Sequence, residues 1–277
     1  MRERNVGSTV FRLERLDKVD STNNYLKLRA ADGAPHGLAV VAEEQTGGRG
    51  RFGRSFHSPR GKGLYLSVLL RPDFPALQAA GLTPWAAVAV CRALEEVTGL
   101  NPEIKWINDI LLKGKKVCGI LTEADITPDG RLNYVILGIG LNLTHEEGDF
   151  PSDVAPIATS LARHLPSPPD REAVLSALLG ELETMWKDFP ERWEDYLEAY
   201  RVRCSTVGQE ILIAVGSEEK TGFALGVNED FSLRVRYESG ECQNLDSGMV
   251  SARRKGLTQE KNRGYNKGKD PQGDDVL

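Results

Sequence analysis

Gly47-Gly48-Arg49-Gly50-Arg51-Phe52-Gly53-Arg54 follows an apolar run, Leu38 to Ala42, and leads through Ser55-Phe56-His57-Ser58-Pro59-Arg60-Gly61-Lys62-Gly63 into a second run, Leu64 to Leu70. The fold turns on how this stretch is read. Gly48, Gly50 and Gly53 spell G-x-G-x-x-G. A dinucleotide-binding turn with that spacing opens a helix. Here Pro59, Gly61 and Gly63 disfavour a helix, and the next element is a strand. No Gly-Lys-Ser/Thr follows, which excludes a Walker A loop. The stretch is therefore strand, loop, strand. Its loop sets three arginines among four glycines. Glycine allows close backbone approach, and arginine offers a fork of donors to phosphate or carboxylate. The loop is either a solvated arginine segment or a lid that closes over an anion.

The 277 residues suffice for one large domain or two modest ones. The formal net charge of -5 argues against bulk nucleic-acid binding. No apolar run approaches transmembrane length, and Met1 to Val6 has no apolar signal core. Cys91, Cys118, Cys204 and Cys242 lie far apart without C-x-x-C. They read as reduced thiols of a cytoplasmic protein, neither disulfide frame nor zinc site.

Residues 1–10 read as disordered. A strand is expected over Val10–Leu16, then Asp20-Ser21-Thr22-Asn23 before a helix starting near Tyr25. Ser21 and Thr22 are either helix caps or site residues. Further strands are expected over Glu103–Ile107, Val117–Asp125 and Leu132–Leu143. The last two should be antiparallel neighbours joined at Asp129-Gly130, in the middle of a sheet. Helices are expected from Thr83 to Val97, from Asp170 to Phe189, and through Trp193, Leu197 and Tyr200. Beyond Arg203, short strands over 211–215, 221–227, 233–237 and 241–245 have the texture of a small β-barrel. Residues 254–277 are polar and read as disordered. The expected division is a catalytic domain over 11–204 and a barrel over 205–253.

Three segments carry the polar chemistry. They are the glycine–arginine loop; Lys105-Trp106-Ile107-Asn108-Asp109 with Lys116-Val117-Cys118-Gly119-Ile120-Leu121-Thr122-Glu123; and Gly138-Ile139-Gly140-Leu141-Asn142. Lys116 in an apolar strand is either an edge gatekeeper or an anion ligand. Gly138 and Gly140 share one strand face. They form either a flat floor for a planar group or a seat for a packed helix.

In this order and spacing the segments resemble the biotin–protein ligases, which carry G-R-G-R-x-G-R, K-W-x-N-D, K-x-x-G-I-L-x-E and G-x-G-x-N. The resemblance extends from about Leu16 to Arg253. It departs at Ile107, where the family often has proline, and at Phe56, where it often has tryptophan. The resemblance implies an α+β fold: a central mixed β-sheet with flanking helices, like class II synthetases and the biotin–lipoate ligases, plus a C-terminal SH3-like β-barrel. It implies a ligase that forms a C–N bond. Biotin would be activated by ATP as biotinyl-5′-AMP and passed to a lysine of a biotin carboxyl carrier protein or domain.

By the same resemblance, Lys116, Arg51 and Asp109 are catalytic. Ser21, Thr22, Asn23, Gln45, Gly48, Arg49, Tyr65, Ser67, Trp106, Lys116 and Gly119 bind biotin. Arg49, Arg51, Arg54, Phe56, Asn108 and Asn142 bind ATP or the adenylate. Mg²⁺ accompanies the phosphates, with Asp109 either a metal ligand or the group that orients or deprotonates the incoming lysine. A lipoate ligase or octanoyltransferase shares the fold, but the arginine-rich loop and terminal barrel favour biotin. No helix-turn-helix fits ahead of Phe11, so the expectation is the monofunctional class, without DNA or membrane partner, as a homodimer or monomer.

Overall fold

The computed structural model describes residues 10–215, 218–246 and 251–254. Seven strands form a mixed sheet: β1 (Arg12–Leu16), β2 (Leu38–Ala42), β3 (Gly63–Leu70), β4 (Glu103–Lys105), β5 (Asp109–Leu112), β6 (Lys115–Ile126) and β7 (Leu132–Asn142). Their order is β1-β2-β3-β7-β6-β5-β4. Only β1 and β2 run parallel. Their crossover is α1 (Thr22–Ala31), because a parallel pair cannot be joined by a tight turn. The expected central pair β6–β7 is antiparallel and turns at Gly130, whose φ is 81°. Four strands, β8 (Glu210–Val215), β9 (Glu218–Val227), β10 (Leu233–Tyr237) and β11 (Cys242–Leu245), join β12 (Ser251–Arg254) in a smaller antiparallel sheet ordered β11-β10-β9-β8-β12.

Strand parity assigns the two faces of the large sheet. Ala39, Val41, Leu64, Leu66, Val68, Val135, Leu137, Cys118 and Ile120 enter the main apolar cluster. That cluster is closed by α2 (Leu82–Thr98), α3 (Arg171–Asp188) and α4 (Trp193–Arg203). The alternate residues Leu38, Val40, Leu69 and Ile136 meet Leu26 and Ala30 of α1 in a second cluster. One short helix cannot cover a seven-stranded face. Beyond α1 that face carries Tyr65, Ser67, Gly138, Gly140 and Gly119, in register across β3, β7 and β6. This uncovered part is where the glycine–arginine loop lies.

Several boundaries differ from expectation. Residues 109–112 form a strand where only a run into a turn was expected; Lys113 and Gly114, at φ 48° and 78°, make the hairpin turn to β6. The strand at Glu103 ends at Lys105, since Trp106 turns out of the ladder: its backbone N–H donates to Thr206 Oγ1 and its indole Nε1 to Phe231 O. Arg254 pairs with Ile211, so the expected tail loses its first residue to β12. The rest of that tail, 255–277, and residues 1–9 lie outside the described residues. The smaller sheet shares the main apolar cluster through Ile211, Ala224, Phe231, Leu233 and Val235. Among the described residues no helix is long and apolar enough to cross a membrane.

Asp170 caps α3 as expected, its carboxylate accepting from the N–H groups of Glu172 and Ala173. Asp170→Ala is expected to cost about 1 kcal/mol in urea unfolding; an unchanged midpoint would show that the cap does not support the fold.

Candidate active site

A cavity opens between the N-terminus of α1, the glycine–arginine loop and the bare part of the sheet. It encloses about 470 Å³, open mouth included. Ser21, Thr22, Asn23, Gln45, Arg49, Arg51, Phe56, Asn108, Lys116 and Gly119 line it, so ten expected site residues converge on one space.

The loop is folded as a small hairpin. Arg49 bridges Ser55, Gly50 N–H donates to Arg54 O, and Phe56 N–H donates to Gly48 O. Gly48 is required by close approach, because a Cβ there would run into Phe56 O and Ser58 Oγ. Phe56 comes back over the sheet. A Cβ on Gly140 would lie 2.6 Å from its ring, and one on Gly119 would lie 3.5 Å away. Gly138 instead lies beneath the amide of Asn23 on α1. Gly138 thus seats a helix, and Gly140 carries the ring of Phe56.

The wall beside α1 is polar and uncharged. Gln45 Oε1 accepts from Thr22 N–H at 2.9 Å and lies 3.1 Å from Thr22 Oγ1; Gln45 Nε2 donates to Ser58 Oγ. Ser67 Oγ lies 2.7 Å from Thr22 Oγ1 and 2.6 Å from Asn23 Oδ1. An amide oxygen only accepts, so Ser67 donates to Asn23, and the single Thr22 hydroxyl hydrogen serves either Ser67 or Gln45. Ser21 occupies the N-cap position of α1, yet its side chain makes no capping bond.

The opposite side is cationic. Lys116 is not a gatekeeper, for β6 lies inside the sheet. The β5–β6 register shifts between Ile110 and Leu111; such a bulge re-aims a side chain. Lys116 Nζ then passes over Gly119 to reach Asp109 Oδ1 at 2.6 Å. Lys105 Nζ is 3.9 Å from the other oxygen of Asp109. Burial pushes the Asp109 carboxyl up, but Lys116, then Lys105, outweigh it and hold the group below the usual carboxylate range. Arg51 donates to Asn108 Oδ1 at 3.1 Å and lies over the Phe52 ring, while Asn108 Nδ2 donates to Ile120 O. Arg49 donates to Asn24 Oδ1 at 2.8 Å and lies 3.3 Å from Glu123.

Other expected residues sit apart from the cavity lining. Tyr65 is buried in β3 and donates to Pro59 O. Asn142 is buried, its amide donating to Thr159 O. Trp106 is turned toward the smaller sheet by its bond to Phe231. Arg54 is exposed. Two residues given no role from sequence, Asn24 and Glu123, hold Arg49. Glu123 was legible by parity, since it shares a strand face with Gly119 and Leu121. Asp109, expected either as a metal ligand or as a partner of the incoming lysine, meets cations in this structure. The carboxylate is engaged by two lysines, and the described residues contain no group of three or more His, Cys, Asp or Glu able to hold an ion.

Gly140→Ala is expected to push Phe56 off the sheet and loosen the hairpin, giving faster tryptic cleavage at Arg49, Arg51 and Arg54 than in the parent protein. Equal cleavage rates would show that the ring does not depend on the bare glycine.

A profile of the Biotin/lipoate A/B protein ligase family matches residues 16–142. The chain is 36% identical over 232 residues to the bifunctional ligase/repressor BirA of Bacillus subtilis (strain 168), covering 81% of this chain and 69% of that protein. It is 34% identical to the biotin--[acetyl-CoA-carboxylase] ligase of Mycobacterium tuberculosis, over 82% of this chain and 84% of the relative. The biotin protein ligase of Aquifex aeolicus, solved in complex with biotin and ATP, superimposes with a TM-score of 0.75 at 32% identity, covering 88% of this chain and 99% of that one. With such relatives across most of its length, this chain belongs to the biotin/lipoate A/B protein ligase family.

Proposed function

We propose that the protein is an ATP-dependent biotin–protein ligase. It forms biotinyl-5′-AMP and transfers biotin to a lysine of a carboxyl carrier protein or domain. The observation that carries this reading is one cavity with a neutral hydrogen-bonding wall at Thr22, Asn23 and Gln45, backed by the buried Ser67, and a cationic side at Arg49, Arg51 and Lys116. Biotin has the matching polarity: a neutral ureido ring at one end, a carboxylate at the other. Lipoate has a dithiolane ring without hydrogen-bonding groups. It would offer no partner to the hydrogen-bonding capacity that remains on the neutral wall, and a site built of buried polar groups discriminates against such a ligand.

In the first step a carboxylate oxygen of biotin attacks the α-phosphorus of ATP, and the bond to pyrophosphate breaks. Two anions must meet. At about 3.5 Å and an effective dielectric near 20, one pair of unit charges repels by roughly 5 kcal/mol. Lys116 and Arg51 offset that repulsion at the reacting atoms, and Arg49 does so from the loop. Mg²⁺ would enter on the phosphates of ATP, where it needs only one or two protein carboxylates.

The resting partner of Lys116 is Asp109. When the ammonium turns to the substrate anions, Asp109 loses the larger of the charges that hold its pKa down and becomes a better acceptor. It is then placed to orient the ammonium of the incoming lysine. Once that ammonium has given up a proton, to Asp109 or to water, the neutral amine attacks the acyl carbon in the second step, the acyl–phosphate bond breaks, and AMP leaves as the nitrogen loses its second proton to solvent. Three of the four cysteines are buried and all are free, which supports a cytoplasmic location.

Purified protein given ATP, Mg²⁺ and an equimolar mixture of biotin and lipoate should yield biotinyl-AMP and a biotinylated carrier lysine by mass spectrometry. A lipoylated lysine alone would overturn the reading. Lys116→Ala should slow pyrophosphate release about 100-fold; a normal rate would remove Lys116 from the adenylation step. Arg51→Ala should speed loss of preformed adenylate, and an unchanged off-rate would exclude that contact.

A further inference from the structure

Glu123 lies on β6, on the same face as Gly119 and Leu121, and its side chain is only 19% exposed. One carboxylate oxygen accepts from Asn23 Nδ2 at 2.9 Å. The other accepts from Lys27 Nζ at 2.6 Å and is 3.3 Å from Arg49. The carboxylate thus joins α1, the sheet and the glycine–arginine loop.

Its effect on Asn23 is directional. A side-chain amide has nearly the same shape either way round, and its neighbours decide which end points where. An ionised carboxylate only accepts, so it takes the NH₂ end, which also reaches the Leu121 carbonyl at the longer distance of 3.4 Å. That turns Asn23 Oδ1 the other way, over Gly138 and within 2.6 Å of Ser67 Oγ. Ser67 uses one lone pair of that oxygen; the second remains for a ligand. Burial raises the Glu123 carboxyl, but Lys27, Asn23 and Arg49 hold it below the ordinary range, so it is ionised at neutral pH.

We infer that Glu123 is a positioning residue for ring recognition. It fixes the Asn23 amide so that an acceptor faces the cavity for a ureido N–H, and through Arg49 it ties the loop to the same point. This rests on the biotin reading given above. Glu123 touches neither ring nor phosphate in this account; it acts through Asn23 and Arg49. Any ligand whose ring presents an acceptor at that place meets a lone pair of Asn23 and is rejected.

The test compares biotin with its cyclic carbonate analogue, in which each ureido N–H is a ring oxygen, by titration calorimetry. Parent protein should prefer biotin strongly. Glu123→Gln frees the amide to turn, and the preference should fall roughly tenfold, as for loss of one oriented hydrogen bond. In an Asn23→Ala background the same substitution should change the preference no further. Lys27→Ala removes a charge from the cluster without touching the amide, so it should leave the preference intact. Glu123→Asp, which draws the carboxylate back by one methylene, gives the same fall in preference should Glu123→Gln not fold.

A parent protein that binds no biotin would sink the functional reading itself. If biotin binds but Glu123→Gln weakens both ligands equally, or if Lys27→Ala lowers the preference as much, Glu123 is only a staple between α1 and β6, and the inference fails alone.

Discussion

A sheet face with no side chains at Gly119, Gly138 and Gly140 cannot close itself, and α1 is too short to cover it. Everything distinctive about the molecule answers that constraint. Asn23, at the start of α1, rests on Gly138. Phe56, brought back by the glycine–arginine hairpin, rests on Gly140 and Gly119. Lys116 crosses Gly119 to reach Asp109. A methyl group at Gly138 or Gly140 would block Asn23 or Phe56, and one at Gly119 would crowd the end of Lys116. The other face, packed with Val, Leu and Ile against three helices, provides the rigidity on which this open face depends.

Charge is the second constraint. In the proposed function the site's cations serve a phosphate and a carboxylate, and they must be held somewhere before those ligands arrive. Asp109 takes Lys116, Asn108 takes Arg51, and Asn24 with Glu123 takes Arg49. These partners keep the side chains in place and near their targets, so less ordering is left to be done on binding. An uncharged acceptor such as Asn108 releases its arginine more cheaply than a carboxylate would.

Much of the sheet was legible in the sequence because its strands are either unbroken apolar runs, as in Leu64 to Leu70, or strongly apolar hairpins such as β6–β7 around Asp129-Gly130. Residues 109–112 escaped as a strand because Ile-Leu-Leu is too short to show a period. β12 escaped because Ser-Ala-Arg-Arg has no alternation; it pairs with β8. The motifs that gather at the cavity were legible as segments, but their partners were not. Trp106 binds a carbonyl 125 positions away, and Glu123 binds an amide 100 positions away. Such long-range pairings are fixed by tertiary packing and leave no local periodic trace. That Phe56 would lie on Gly140 follows from the hairpin formed by Arg49 and Ser55, which a glycine–arginine composition does not specify.

The proposed function requires one cavity to recognise both ends of a single molecule. A crystal structure with biotinyl-5′-adenylate tests that most directly. It should show the ureido ring beside Thr22, Asn23 and Gln45, and the phosphate held by Lys116, Arg49 and Arg51 beneath the closed hairpin. A ring bound at any other surface, with residues 47–54 turned out into solvent, would contradict it.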